Sequence, residues 1–157
     1  MVSRVIPVDP FDLVIFGGTG DLAKRKIIPG LFRRFAAGQI PAEARLIGAA
    51  RASLDTPAYR ALLRDAILEF CVKNPDSDVL ADFLDRFDYV AIDAMGEAGW
   101  EDLAKKMRPD TVRAFYFSVA PSLFGALAVR LHKRGIALSD SRIVAEKPFS
   151  RGLESSQ

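Results

Sequence analysis

The sequence has very few of the side chains that build disulfides, metal centres and histidine-based active sites. Among its 157 residues there is one cysteine, Cys71, and one histidine, His132. A lone cysteine excludes an internal disulfide and a cysteine-based zinc cluster. One histidine leaves metal sites and histidine catalysis poorly supplied. Functions that depend on clustered thiols or imidazoles are therefore disfavoured.

Long apolar segments and a strong charge imbalance are absent as well. Lysine and arginine number 22 against 20 aspartates and glutamates, and this net charge of +2 does not call for nucleic acid or a membrane surface as partner. No apolar run approaches the roughly 20 residues that span a bilayer. Residues 1–7 contain no apolar core of signal-peptide length. We therefore expect a cytoplasmic protein with no membrane or nucleic-acid partner.

What the sequence does contain is the pattern of a single α/β domain. Half of its residues are apolar and 27% are charged, as in ordinary globular proteins. Short apolar runs alternate with segments of helical spacing, and such alternation forms parallel sheets. The five runs are residues 12–17, 45–50, 87–92, 113–119 and 142–145. The prediction is a doubly wound parallel sheet of the Rossmann-like kind, incomplete at the C-terminus, over residues 1–157.

The helical segments carry apolar stripes at the spacing of a helix face. These stripes cover residues 27–35, 62–70 and 123–131. The long connection 51–86 is expected to hold two helices, separated at Asn74-Pro75-Asp76. The third stripe is expected to begin near Pro121 and to stop at Gly135.

A glycine-rich segment joins the first strand to the first helix, where dinucleotide-binding domains hold a pyrophosphate. Glycines let the backbone approach the phosphates, and the helix N-terminus offers free N–H groups and a positive dipole. Gly20 in particular is expected to need either a positive φ or close approach to phosphate. The plainer alternative is a turn that only packs helix against strand. The segment comprises Gly17, Gly18, Thr19, Gly20, Asp21, Leu22, Ala23 and Lys24.

Arg51 follows the second strand, where NAD-binding proteins place an acid on the ribose 2′-hydroxyl. An arginine suits a 2′-phosphate, which it can grip with two hydrogen bonds. Residues 21–51 carry seven lysines and arginines against two acids, a local excess of five positive charges. The sequence therefore predicts NADP rather than NAD as coenzyme, with a solvated surface charge as the alternative reading of Arg51.

Four segments taken together resemble glucose-6-phosphate dehydrogenase. They are residues 16–26 (FGGTGDLAKRK), 48–51 (GAAR), 115–121 (FYFSVAP) and 144–149 (VAEKPF), in the family's order and spacing. The resemblance implies NADP-dependent oxidation of glucose 6-phosphate to 6-phosphogluconolactone in the oxidative pentose phosphate pathway. No metal is implied.

The resemblance also assigns roles to individual residues. Residues 17–24 would cradle the coenzyme phosphates, and Thr19 and Arg51 would bind the 2′-phosphate. Asp93 would line the adenine side, and Pro121 would belong to a turn near the coenzyme. Lys147 would be the catalytic-site lysine that contacts both substrate and nicotinamide, beside Pro148, which helps to align them.

The sequence departs from the family pattern in three ways. Ala120-Pro121 replaces a proline pair, and Ser150 stands where a glycine is usual. We expect the chain to lack the segment that supplies the family's histidine base and sugar-phosphate grip, together with the C-terminal catalytic domain. His132 is expected to be a surface residue. We therefore expect the chain alone to be inactive, and a homo-oligomer only with the missing domain.

Two other functions stay open at this stage. A stand-alone dinucleotide-binding module would share the glycine-rich segment without catalysing a reaction. Another sugar oxidoreductase could carry Glu-Lys-Pro after the fifth strand, although the Gly-Asp-Leu-Ala-Lys run argues against it.

Overall fold

The five apolar runs form one parallel sheet. A computed structural model describes residues 11–40, 44–93, 96–108, 111–138 and 141–145. The strands are β1 (Phe11–Phe16), β2 (Arg45–Ala50), β3 (Phe87–Ala91), β4 (Val112–Phe117) and β5 (Arg142–Ala145). They lie in the order β3-β2-β1-β4-β5, with every neighbouring pair parallel. This is the order of a Rossmann-like sheet, so the predicted fold class is confirmed.

Five α-helices connect the described strands. They are α1 (Ile28–Ala36), α2 (Thr56–Phe70), α3 (Ser77–Asp85), α4 (Trp100–Lys106) and α5 (Phe124–Lys133). The two helices expected between β2 and β3 are present, and Asp55 and Asp76 cap their N-termini with side-chain oxygens. Gly135, with φ +73°, follows the end of α5 as expected. Helix α4 was not predicted.

The helices cover both faces of the sheet, each over its own hydrophobic cluster. On one face Trp100 and Leu103 of α4 and Leu127 of α5 pack with Phe16 and Phe117. On the other face α1, α2 and α3 cover the strands with Ile28, Phe32, Tyr59, Leu63, Ile67 and Phe83. The result is the three-layer arrangement that hides a parallel sheet on both sides.

The first helix begins at residue 21 and contains a widened turn just before α1. Ala23–Ile27 is π-helical, and the Ile28 N–H donates to the Ala23 carbonyl five residues earlier. Pro29 follows immediately. Proline has no N–H, and its ring crowds the carbonyl four residues before it, so a wider turn relieves the contact.

A buried carboxylate fastens the start of β1 to the segment before β4. The side chain of Asp12 is fully buried and accepts hydrogen bonds from Arg108 Nε and Arg108 N, both at 2.9 Å, and from Thr111 Oγ1 at 3.1 Å. This network lies at the amino ends of the strands. It stabilises the amino edge of the sheet, which is opposite to the carboxyl edge where the candidate site lies.

Candidate coenzyme site

The loops after four strands meet at the carboxyl edge of the sheet. The chain leaves β1 toward the face covered by α1, whereas it leaves β4 toward the face covered by α5. Because β1 and β4 are neighbours, their diverging connections open a crevice between them. Ligands of open α/β sheets bind at such a switch point.

The glycine-rich turn is pinned to the ends of two neighbouring strands. The N–H groups of Gly17 and Gly18 donate to the Ala49 carbonyl at 2.8 and 3.2 Å. Gly17 has φ +79°, and a Cβ added there would collide with the Ser118 carbonyl group. Only glycine combines this backbone conformation with this close approach.

Gly20 does not have the positive φ that was one of its two expected constraints. That conformation belongs to Gly17 instead. A Cβ on Gly20 would meet only the Gly17 carbonyl oxygen, at 3.2 Å. The turn already obtains its left-handed residue three positions earlier, so Gly20 needs no such conformation. Its close approach to a phosphate stays a prediction.

The helix that follows presents unpaired N–H groups. The Gly20 N–H donates to the Gly17 carbonyl at 2.9 Å, and Lys24 N–H, donating to Gly20 O at 3.1 Å, is the first helical donor. The N–H groups of residues 21–23 precede it and have no acceptor within the helix. Such groups, with the helix dipole behind them, form an anion-binding site.

A cavity of about 270 Å³ lies beside the turn. Its polar side contains Gly17, Thr19, Gly20 and Arg51, all of which the sequence singled out. Its apolar wall, which sequence reasoning missed, consists of Phe16, Ile92, Val119, Leu123 and Leu127, with Ala49, Ala50 and Ala52 at the end of β2. An apolar cavity with a few convergent polar groups is typical of a ligand site.

Arg51 is the one charged residue that lines this cavity in the described part of the chain. A second space of about 180 Å³ adjoins it, lined by Arg51 and by Asp93, which follows β3. The positive excess of residues 21–51 does not gather here. Arg25 pairs with Asp21, and Arg45 donates to the Lys106 carbonyl. Any preference for a 2′-phosphate therefore depends on Arg51 rather than on a broad basic surface.

Comparison with known proteins shows the family of this chain. The family model for the NAD binding domain of glucose-6-phosphate dehydrogenase matches residues 14–157. The chain belongs to the glucose-6-phosphate dehydrogenase family. The match begins inside β1 and includes every loop that forms the cavity.

Individual family members agree with this assignment. Glucose-6-phosphate 1-dehydrogenase of Rhizobium meliloti is 42% identical over 158 residues, which cover 99% of this chain and 32% of that protein. The crystal structure of the Mycobacterium avium enzyme superposes with a TM-score of 0.81 at 28% identity, over 90% of this chain and 30% of that one. A glucose-6-phosphate dehydrogenase in complex with its substrate glucose-6-phosphate gives a TM-score of 0.76 at 28% identity, over 90% and 31% of the two chains. The chain thus spans about a third of the relatives that it matches.

Of the remaining residues implied by the resemblance to glucose-6-phosphate dehydrogenase, the structure describes Pro121 but not Lys147 and Pro148. Pro121 begins a 3₁₀ turn, Pro121–Leu123, which carries Leu123 into the cavity wall, although Pro121 itself is exposed. Lys147 and Pro148 lie outside the described residues. His132 is exposed near the end of α5, so its interpretation as a surface residue is confirmed.

The described part of the chain contains neither a metal-binding cluster nor a membrane-spanning helix. No group of three histidine, cysteine, aspartate or glutamate side chains there is placed to hold a metal ion. Among the same residues, no helix has the length and apolar character needed to cross a bilayer.

Two tyrosines beneath the cavity were not singled out as site residues by the sequence. Tyr59 is fully buried and donates from its hydroxyl to the Gly18 carbonyl at 3.1 Å. Tyr89 donates to the carbonyls of Ala52 and Ala50, at 2.6 and 3.2 Å. Burial, together with the neighbouring Tyr89, raises the pKa of Tyr59, and burial also raises the pKa of Tyr89. Both hydroxyls therefore remain protonated donors over the neutral range.

Proposed function

We propose that this chain supplies the NADP-binding domain of a glucose-6-phosphate dehydrogenase. The whole enzyme would oxidise glucose 6-phosphate to 6-phosphogluconolactone in the oxidative pentose phosphate pathway, in the cytoplasm. The main support for the proposal is that the Gly17 turn and Arg51 line the same cavity at the switch point. A turn that only packed helix on strand would not require an arginine across a cavity from it.

The residues present fit a dinucleotide phosphate. The free N–H groups of residues 21–23 suit the pyrophosphate, because they are unpaired donors at the positive end of a helix. Arg51 and Thr19 line the same cavity, and a guanidinium and a hydroxyl suit a 2′-phosphate. The apolar wall formed by Phe16, Ile92 and Leu123 suits the rings of the coenzyme. When bound, NADP accepts the hydride that the sugar gives up at C1.

The sugar side of the reaction is assigned by the family pattern. Lys147 would contact substrate and nicotinamide, with Pro148 setting their alignment. Removal of the C1 hydroxyl proton needs a base within hydrogen-bond reach. His132 is a poor candidate for that base because it is exposed on α5 and is absent from the cavity wall. We therefore propose that the base, the main sugar-phosphate grip and the oligomer contacts belong to the remainder of the enzyme.

The proposal is tested by calorimetric titration of the chain with NADP and NAD. NADP should bind more tightly, and Arg51→Ala should narrow the difference. One charge-assisted contact contributes about 1.5–3 kcal/mol, or about ten- to a hundredfold in affinity. Arg33→Ala is the matched control, because Arg33 is exposed on α1 and does not line the cavity. Equal affinities for NADP and NAD in the parent chain would refute the assignment of Arg51.

A second assay tests whether the catalytic groups lie outside this chain. Glucose 6-phosphate and NADP are added to the purified chain, and NADPH absorbance is followed. Loss of a general base alone costs about 10²–10⁴-fold in rate, and loss of substrate orientation adds to that cost, so the expected rate is below about a thousandth of that of an ordinary dehydrogenase. Turnover that disappears in Lys147→Ala or His132→Ala would show that the chain carries the catalytic groups itself.

A further inference from the structure

Tyr59 and Tyr89 connect the two phosphate-binding elements of the cavity to the core beneath it. Tyr59 lies in the first turn of α2, Tyr89 in β3, and their ring centroids are 4.7 Å apart. One hydroxyl reaches the glycine-rich turn and the other reaches the residues on either side of Arg51. Neither tyrosine lines the cavity.

Tyr59 fixes the orientation of one peptide group in the glycine-rich turn. Its ring lies where a Cβ on Gly48 would be, and its hydroxyl is 2.6 Å from where a Cβ on Gly18 would be. The two glycines thus make room for it. The Gly18 carbonyl points at Tyr59, and in a trans peptide the following N–H points the opposite way. Thr19 N–H is therefore directed away from Tyr59, and Thr19 lines the cavity.

Tyr89 holds the backbone beside Arg51, which is the second phosphate-binding element of the cavity. The Ala50 carbonyl is already held by the Ile92 N–H at 2.7 Å, so β3 secures that residue without help. The Ala52 carbonyl, one residue beyond Arg51, receives the shorter bond of the Tyr89 hydroxyl, at 2.6 Å. Arg51 is exposed at the end of β2, and this bond fixes the backbone just after it.

We propose that Tyr59 and Tyr89 are positioning residues with separate roles in coenzyme binding. Tyr59 orients the turn that receives the pyrophosphate, which NADP and NAD share. Tyr89 orients Arg51 and so determines the preference for the 2′-phosphate of NADP. This inference rests on the proposed function, since it assigns roles within the same cavity.

The test is calorimetric titration of the Tyr59→Phe and Tyr89→Phe chains with NADP and with NAD. Each substitution removes one hydroxyl and keeps the ring. Tyr59→Phe should lower the affinities for both coenzymes by the same factor, about three- to tenfold for one hydrogen bond. Tyr89→Phe should weaken NADP by a similar factor and leave NAD unchanged. Arg33→Ala, exposed on α1 and outside the cavity wall, is the control and should change neither affinity.

Ser53→Gly gives a second route to the same result. Ser53 is exposed and does not line the cavity, so the change leaves the core and the cavity wall intact while it loosens the backbone that Tyr89 holds at the Ala52 carbonyl. It should lower NADP affinity selectively, as Tyr89→Phe does. A titration stoichiometry equal to that of the parent shows that each variant is folded.

The possible outcomes separate the inference from the proposed function. If the parent chain prefers NADP but Tyr89→Phe and Ser53→Gly weaken the binding of NADP and NAD alike, or of neither, the role of Tyr89 is refuted. If Tyr59→Phe leaves both affinities unchanged, the role of Tyr59 is refuted. A parent chain that binds neither coenzyme overturns the proposed function and this inference together.

Discussion

Replacing Gly17 by alanine tests whether the glycine-rich turn is shaped by its contact with β4. Two costs are expected. The first is the φ of +79°, which costs an L-residue about 1–2 kcal/mol. The second is the new methyl group, which would overlap the Ser118 carbonyl oxygen and lie 2.8 Å from the Ser118 carbonyl carbon. Backbone atoms cannot rotate away as a side-chain end can, so overpacking adds about 1–3 kcal/mol. The sum is a loss of about 2–5 kcal/mol in the free energy of unfolding.

Gly38 supplies the matched control. Its φ is +75°, but a Cβ there would meet nothing within 4 Å. Gly38→Ala should therefore cost only the conformational part, about 1–2 kcal/mol. The difference between the two variants isolates the contact between the turn and Ser118.

The assay is urea denaturation followed by tryptophan fluorescence. Trp100 is the single tryptophan of the sequence and is fully buried, so its emission reports unfolding of the core. Equal destabilisation by Gly17→Ala and Gly38→Ala would refute the reasoning, because it would show that the turn yields to a side chain without strain.

Three further predictions concern other parts of the molecule. Gly20→Val should abolish NADP binding in calorimetry while the urea midpoint stays close to that of the parent, because the loop is at the surface. Asp12→Ala should lower the free energy of unfolding by about 3–5 kcal/mol, since Arg108 loses its buried partner. The raised pKa values of Tyr59 and Tyr89 mean that folding favours their neutral forms. Their contribution to stability is complete below the ordinary tyrosine pKa of about 10 and is lost as pH rises above it. Urea midpoints across the alkaline range should therefore fall less steeply for Tyr59→Phe than for the parent.

The strands were predicted from their apolar runs, but their ends were not. β1 ends at Phe16 and β4 at Phe117, whereas the apolar runs continued to Gly17 and Val119. The shortening has one cause, because Gly17 turns against the carbonyl of Ser118. That contact joins residues about a hundred positions apart, so no local pattern records it.

Helix α4 and the buried Asp12 escaped prediction for related reasons. α4 has seven residues and buries only Trp100 and Leu103, which is too short for an apolar periodicity. Asp12 stands in an apolar run with nothing beside it to show that Arg108 will neutralise it. Short helices and ion pairs between residues far apart in the sequence leave no local pattern from which they could be predicted.

The candidate site was partly predictable, because parallel strands deliver the residues that follow them to one edge. Position alone therefore brought Arg51 and the glycine-rich turn to the same cavity. The tyrosines beneath were missed, although Gly48 gave a signal. A glycine inside a buried strand marks a place where something approaches the backbone closely, and here that is the ring of Tyr59.

The π turn at the start of the first helix has a consequence for exchanging phosphate loops between proteins. Such a turn contains one residue more than an α turn, and one residue rotates a helix by about 100°. The donors of residues 21–23 and the buried residues Ile28 and Phe32 are therefore out of phase by that angle. A loop transplanted from a protein with a regular helix would keep its donors but turn this apolar stripe off the sheet. Such a graft needs one residue inserted before Ile28, and a graft in the opposite direction needs one residue removed.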